Sequence, residues 1–138
     1  MIVLYHGGSR AIALRMAWDS PADRDFELSK AFYLQALEPL GVTMVRDYPP
    51  DGVELSRPAG GSSLCLYQTD EKPAPLHIAF VAESREQVDA FHRAALGAGG
   101  QDNGAPGLRP RYSGRYYAAF VLDPDGHNIE AVFHEGEA

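Results

Sequence analysis

His77 and Glu130 are the two side chains whose types and settings could do chemistry together. His77 stands near the start of the apolar run Leu76 to Val81, and Glu130 lies inside Asn128 to His134, which alternates like a strand. Successive strand residues point to opposite faces. Ile129, Ala131 and Phe133 then share an apolar face suited to packing under a helix, while Asn128, Glu130, Val132 and His134 share the other. In Leu76 to Val81 the set Leu76, Ile78 and Phe80 opposes His77, Ala79 and Val81. Each member of the pair therefore stands on the less greasy face of its strand. A buried carboxylate without a partner costs several kcal/mol, so Glu130 calls for a cation, a donor or water. Imidazole and carboxylate together suit a divalent metal. Each residue also has a plainer reading: a hydrogen-bonded structural histidine, and a carboxylate at a solvated strand edge.

Other residues are weighed the same way. Arg109, Arg111, Tyr112, Tyr116 and Tyr117 surround a loop that could close over a ligand. Arg111 or Arg109 could hold a substrate anion there, or simply lie on the surface. Tyr116 and Tyr117 alternate, so one faces the ligand side and the other a helix. His134, on the face of Glu130, is a further candidate for contact with a ligand. His127 follows an Asp-Gly turn and reads as solvent-exposed, and His92 as an exposed helix residue. Cys65 reads as a small buried hydrophobe. As the single cysteine it can build neither an internal disulfide nor a thiol-rich zinc site. Phosphate loops, serine triads and Cys-X-X-Cys pairs are absent from the sequence.

The elements that must position these groups come from a repeat. Ala31-Phe32-Tyr33-Leu34-Gln35-Ala36-Leu37 matches Ala90-Phe91-His92-Arg93-Ala94-Ala95-Leu96 at an offset of 59 residues, which also carries Gly41 onto Gly100 and Asp25 onto Ser84. In the second copy, Leu76 to Val81 reads as a strand. Ser84 and Gln87 form a capping box, and Val88, Phe91 and Ala95 recur at helical spacing before the glycines from Gly97 to Gly100 stop the helix. Gln101 to Gly114 has room for at most a short strand. Tyr116 to Leu122 and Asn128 to His134 are strands joined by the turn Asp123-Pro124-Asp125-Gly126. In the first copy, Asp25 or a neighbour caps a helix over Phe26 to Leu40. Val42 to Asp47, Gly52 to Arg57 and Ser62 to Thr69 follow as strands. The pattern predicts an α+β fold of two βαβββ modules, about 1–70 and 76–134, in a single domain over residues 1–138. Each sheet would bury one face under its helix, and the other faces would enclose a cavity.

Composition bounds the rest. The 138 residues are 45% hydrophobic and 22% charged, the profile of a globular domain with a sizeable core. A net charge of −7 argues against a nucleic-acid partner. No apolar run is long enough for a membrane span, and no signal peptide is apparent. The lone cysteine suits a reducing cytoplasm.

His77-Ile78-Ala79-Phe80, the helix after it, Tyr116-Tyr117-Ala118-Ala119-Phe120-Val121, Asp123-Pro124-Asp125-Gly126-His127-Asn128 and Ile129-Glu130-Ala131 closely resemble the vicinal oxygen chelate superfamily of glyoxalases, bleomycin-resistance proteins and ring-cleaving dioxygenases. In the first half the resemblance rests on Ser29-Lys30-Ala31-Phe32-Tyr33 and Leu40-Gly41. It implies a metal ligand at His77, and at Glu130 a ligand that also serves as the candidate catalytic residue.

The resemblance further implies a ligand from the first module's opening strand, and here the sequence departs from it. Both the repeat and the family register point to position 18, which is Trp18. Three openings compete. A strand at Ile12 to Trp18 would leave no first ligand and make Trp18 part of a substrate-binding surface. A strand at Met1 to Tyr5 would let His6 supply the imidazole. Or residues 1 to about 23 are not a native opening strand. The expected function is a glyoxalase-like lyase or isomerase that uses a divalent metal ion on a small oxygen-chelating substrate, with His6, His77 and Glu130 as ligands. Trp18, Arg111, Tyr116, Tyr117 and His134 would contact the substrate. The rival is a metal-free, bleomycin-resistance-like binding protein. The resemblance implies a homodimer for either.

Overall fold

The computed structural model describes residues 2–4, 11–16, 23–49, 52–58, 63–68 and 75–136. Its second helix, α2 (Arg85–Gly97), is built as its sequence dictates. The Gln87 amide donates to the Ser84 hydroxyl oxygen at 3.2 Å, and Gln87 Oε1 accepts from the Glu83 amide at 2.9 Å. Such caps satisfy amides that have no partner within the first helical turn. Val88, Phe91 and Ala95 are its buried residues.

The first helix, α1 (Asp23–Ala36), is shorter at its end than the expected Phe26 to Leu40, and Asp25 lies within it rather than capping it. Pro39 is the cause. Proline lacks the amide an α-helix needs and disfavours the helical conformation of the residue before it. The chain instead makes a short 3-10 helix, Glu38–Leu40, closed by Gly41 at φ +76°.

Two sheets follow the same plan. In the first, β2 (Ala11–Met16), β3 (Thr43–Tyr48), β4 (Gly52–Ser56) and β5 (Ser63–Gln68) lie in the order β2-β5-β4-β3. In the second, β6 (His77–Val81), β7 (Gln101–Leu108), β8 (Tyr116–Leu122) and β9 (Asn128–His134) lie in the order β6-β9-β8-β7. The opening strand of each runs parallel to the last, across the helix, and the other neighbours are antiparallel. This is the predicted βαβββ pattern, twice.

Two features differ from the sequence reading. Residues 101–108 form a full eight-residue strand, not a short one. It sits at the sheet edge, where Pro106 removes no needed ladder bond, and register shifts absorb Gly104 and Gly107. The second difference is the opening of the chain. A strand β1 (Ile2–Leu4), grouped with the first module in the sequence reading, pairs in parallel with β6 of the second sheet, with Ile2 opposite Ile78 and Leu4 opposite Phe80. The first module opens with Ala11–Met16, earlier than the 59-residue offset projects. The offset fails there because α1 starts at Asp23, three positions before the offset projects from Arg85, and six positions rather than three separate the strand from the helix. His6 and Trp18 lie outside the described residues.

One hydrophobic core joins both helices to the inner face of each sheet, through Phe32, Leu37, Val53, Leu55, Leu64, Leu66, Ile78, Phe91, Val121 and Ile129 among others. The outer face of the second sheet carries a smaller cluster, Ala79, Ala118, Phe120 and Val132. Among the described residues, no helix is long and apolar enough to cross a membrane.

Candidate functional site

The outer face of the second sheet is assembled by strand register. Glu130 on β9 is flanked by Ala79 of β6 and Phe120 of β8, and Tyr116 pairs with His134. Directly paired residues share a face, which puts His77, Glu130, Tyr116, Phe120 and His134 on the side away from the helices. Small neighbours, Ala79 and Ala118, leave space around the larger groups.

Glu130 is buried, at 1% exposure. Its Oε2 lies 2.7 Å from His77 Nε2, and its Oε1 accepts a short hydrogen bond from the Tyr116 hydroxyl. Among the described residues no lysine or arginine pairs with it. The carboxylate is thus held by an imidazole and a phenol. Aromatic rings extend the site. Tyr116 packs edge-on against His134 at 5.1 Å and lies 5.0 Å from Tyr112, and the His77 ring is 6.0 Å from that of Phe120.

A second polar group sets where β6 begins. His127 is as buried as Glu130, and its Nδ1 accepts the Leu76 amide at 3.0 Å. This corrects the expectation of a solvent-exposed turn residue: the tight Asp123–Gly126 turn swings the ring over the end of the sheet. The His127 and Asp125 amides donate to Asp123 Oδ1 at 2.8 and 2.9 Å. Tyr33 on α1 donates a short hydrogen bond to Asp123 Oδ2, and Ser29 Oγ donates to Asp125 Oδ2 at 3.2 Å. Burial pushes the Asp123 carboxyl above its ordinary range, against the lowering effect of the Tyr33 hydroxyl. Burial, then the nearby Asp123 charge, pushes the Tyr33 phenol up. The sequence marked these residues as turn and helix positions but not as a network, because His127, Tyr33 and Ser29 each act through a partner far along the chain.

The remaining candidates divide. Tyr117 was expected among the substrate contacts, but it lies on the opposite face. Its hydroxyl donates to Asp89 at 2.7 Å and its ring sits 4.7 Å under the Arg85 guanidinium, both on α2. Strand alternation allowed only one of the two tyrosines on the outer face, and it is Tyr116. Arg111 is exposed and rests on Tyr112, donating to its hydroxyl at 2.9 Å, two rings removed from Glu130. Arg109 is half-buried, with its guanidinium 5.3 Å from the Phe120 ring centre.

On the first sheet, Glu54 and Cys65 are cross-strand neighbours, and Tyr48 donates to Glu54 at 3.3 Å. Burial, then the charge of Glu54, raises the Cys65 thiol above its ordinary value. Among the described residues no three histidine, cysteine, aspartate or glutamate side chains come together as a metal site.

The model of the Glyoxalase/Bleomycin resistance protein/Dioxygenase superfamily matches residues 8–131. A glyoxalase/bleomycin resistance protein from Albidiferax ferrireducens T118 is 28% identical, with a TM-score of 0.73 over 91% of this chain and 98% of that one. A glyoxalase-related enzyme from Fulvimarina pelagi is 21% identical, with a TM-score of 0.69 over 92% of this chain and 88% of that one. Lactoylglutathione lyase from Agrobacterium tumefaciens is 21% identical, with a TM-score of 0.61 over 91% and 92%. The last two share the fold. No curated protein matches the chain.

Proposed function

The chain belongs to the glyoxalase/bleomycin resistance protein/dioxygenase superfamily, and from that premise we propose that it is a glyoxalase-like lyase or isomerase acting on a small oxygen-chelating substrate over the His77–Glu130 pair. The observation that carries the reading is the buried Glu130 carboxylate, held only by the imidazole of His77 and the phenol of Tyr116 among the described residues. A buried carboxylate beside an imidazole nitrogen, without a cationic side chain, is a donor set that fits a divalent ion. His77 and Glu130 would hold it, with a further donor, His6 in this reading, from outside the described residues. Such an ion, when bound, supplies Lewis acidity toward the substrate's oxygens.

The chain's own residues supply the rest. Glu130 takes a proton from the carbon next to the substrate carbonyl and returns it to the neighbouring atom. Tyr116 fixes the carboxylate's orientation through Oε1, leaving Oε2 toward His77. The rings of His134 and Tyr112 pack against that of Tyr116, at 5.1 and 5.0 Å, and help to hold its hydroxyl on the carboxylate.

Metal analysis after dialysis tests this reading on wild type, His77→Ala and Glu130→Gln. About one ion per chain is expected in the wild type and little in either variant. Added metal should raise the wild-type melting temperature by mass action. Negligible metal in all three would favour a metal-free binding protein. That second reading is supported by Trp18, which stands at the position where the repeat and the family register both place the first module's ligand. The homodimer expected from the resemblance and the cytoplasmic location expected from the single cysteine belong to the same proposal, and size-exclusion chromatography tests the dimer.

A further inference from the structure

Arg109 is built into the same outer face in an unusual way. Gly104, Phe120 and Glu130 lie in one row across β7, β8 and β9. Gly104, at φ +154°, has no side chain to fill its place in that row. A Cβ there would meet Phe120 Cδ2 at 2.9 Å and Arg109 Nη2 at 3.3 Å, and one at Gly107 would meet Arg109 Nη1 at 3.1 Å. The two glycines therefore leave the space that the Arg109 guanidinium occupies. Its Nη2 donates to the Ala105 carbonyl at 2.6 Å, and its plane sits over the Phe120 ring. The Arg109 amide donates to the Tyr116 carbonyl at 2.8 Å, which ties its backbone to the residue that binds Glu130.

This is a cation fixed in advance, half-buried on an aromatic ring, and no carboxylate among the described residues pairs with it. Strands in a sheet lie about 5 Å apart, so a guanidinium seated over Gly104 and Gly107 on β7 lies about two strand spacings, roughly 10 Å, from Glu130 on β9, with the Phe120 ring between them. Guanidinium groups match the oxygens of carboxylates and phosphates with paired hydrogen bonds. On a chain of net charge −7, an anionic ligand needs such a local cation to dwell on this face.

We infer that Arg109 is a specificity residue that selects substrates carrying an oxyanion, a carboxylate or phosphate, on the β7 side of the carbon presented to Glu130. The inference rests on the proposed reading of this face and narrows its substrate class.

Calorimetric titration tests it with benzoylformate, its methyl ester and phenyl phosphate as probes, on the full chain. Wild type should bind benzoylformate or phenyl phosphate at least about tenfold more tightly than the ester, and the tighter of the two names the oxyanion. Arg109→Gln should lose that preference while binding the ester as before. Arg109→Lys, which keeps the charge without the planar fork, should retain part of it. Glu130→Gln should keep the preference, so loss of the proton-transfer reading would leave this result standing. Equal binding of acid and ester by the wild type, binding of none of the probes, or an undiminished preference in Arg109→Gln would overturn the inference. Unchanged melting of the Arg109 variants separates lost recognition from lost folding.

Discussion

Glu130 depends on two donors that are not interchangeable, since His77 is half-exposed and the Tyr116 hydroxyl reaches the carboxylate from within the sheet's own aromatic cluster. Tyr116→Phe leaves one oxygen of a buried carboxylate without its donor, so unfolding in urea should show a loss of about 1–3 kcal/mol. Full stability in that variant would mean that water replaces the hydroxyl. His127→Ala should cost about 2–4 kcal/mol, because it opens a cavity and strips the Leu76 amide of its acceptor. It should also weaken ligand binding, because Leu76 immediately precedes His77. Alternation was enough to put His77 and Glu130 on the less greasy faces of their strands, since that depends only on local geometry; it left open which of Tyr116 and Tyr117 stands with them. The role of His127 was hidden, because an imidazole acting as an acceptor has no local signature. Nothing in the sequence spacing distinguished Arg109 from Arg111; the two glycines that seat Arg109 are visible only once β7 is a strand.

Between elements, the decisive joint is the one from α1 to the β8–β9 turn. The Asp123 carboxyl is raised by burial. A carboxyl with a raised native pKa stabilises the fold fully below its unfolded value of about 4 and loses that contribution as pH rises through the native one. The Tyr33 hydroxyl opposes the rise, so Tyr33→Phe should push Asp123 further up. Its destabilisation, measured by urea unfolding, should therefore be larger at pH 8 than at pH 5. An equal or smaller deficit at pH 8 would contradict this account of the joint. The same scale shows which elements were legible. α2 announced itself through Ser84, Gln87 and its apolar spacing, all local signals. β7 did not, because glycine and proline argue against strands except at an edge, and edge position is a property of the whole sheet.

Across the whole molecule, Gly100 is where the two halves press together. A Cβ there would come within 2.5 Å of Val121 Cγ1, 2.7 Å of Phe32 Cε2 and 2.8 Å of the Ala95 carbonyl oxygen. Gly100→Ala should thus cost about 3 kcal/mol or more by overpacking, read as a lowered urea midpoint with an unchanged slope. The doubled βαβββ plan was legible because a repeated helix pattern survives divergence. The opening was not, because the first strand pairs outside its own module. That pairing bears on how the chain is made. Residues 2–4 leave the ribosome well before their partners, since Ile78, paired with Ile2, is synthesised 76 positions later. β1 must wait, unpaired, through the making of the entire first sheet, and closing so long a loop favours a late step. In pulse-labelled hydrogen exchange during refolding, the amides of residues 2–4 should gain protection with or after those of 77–81, and later than those of 63–68. A segment made before its partner strand would then be among the last to settle.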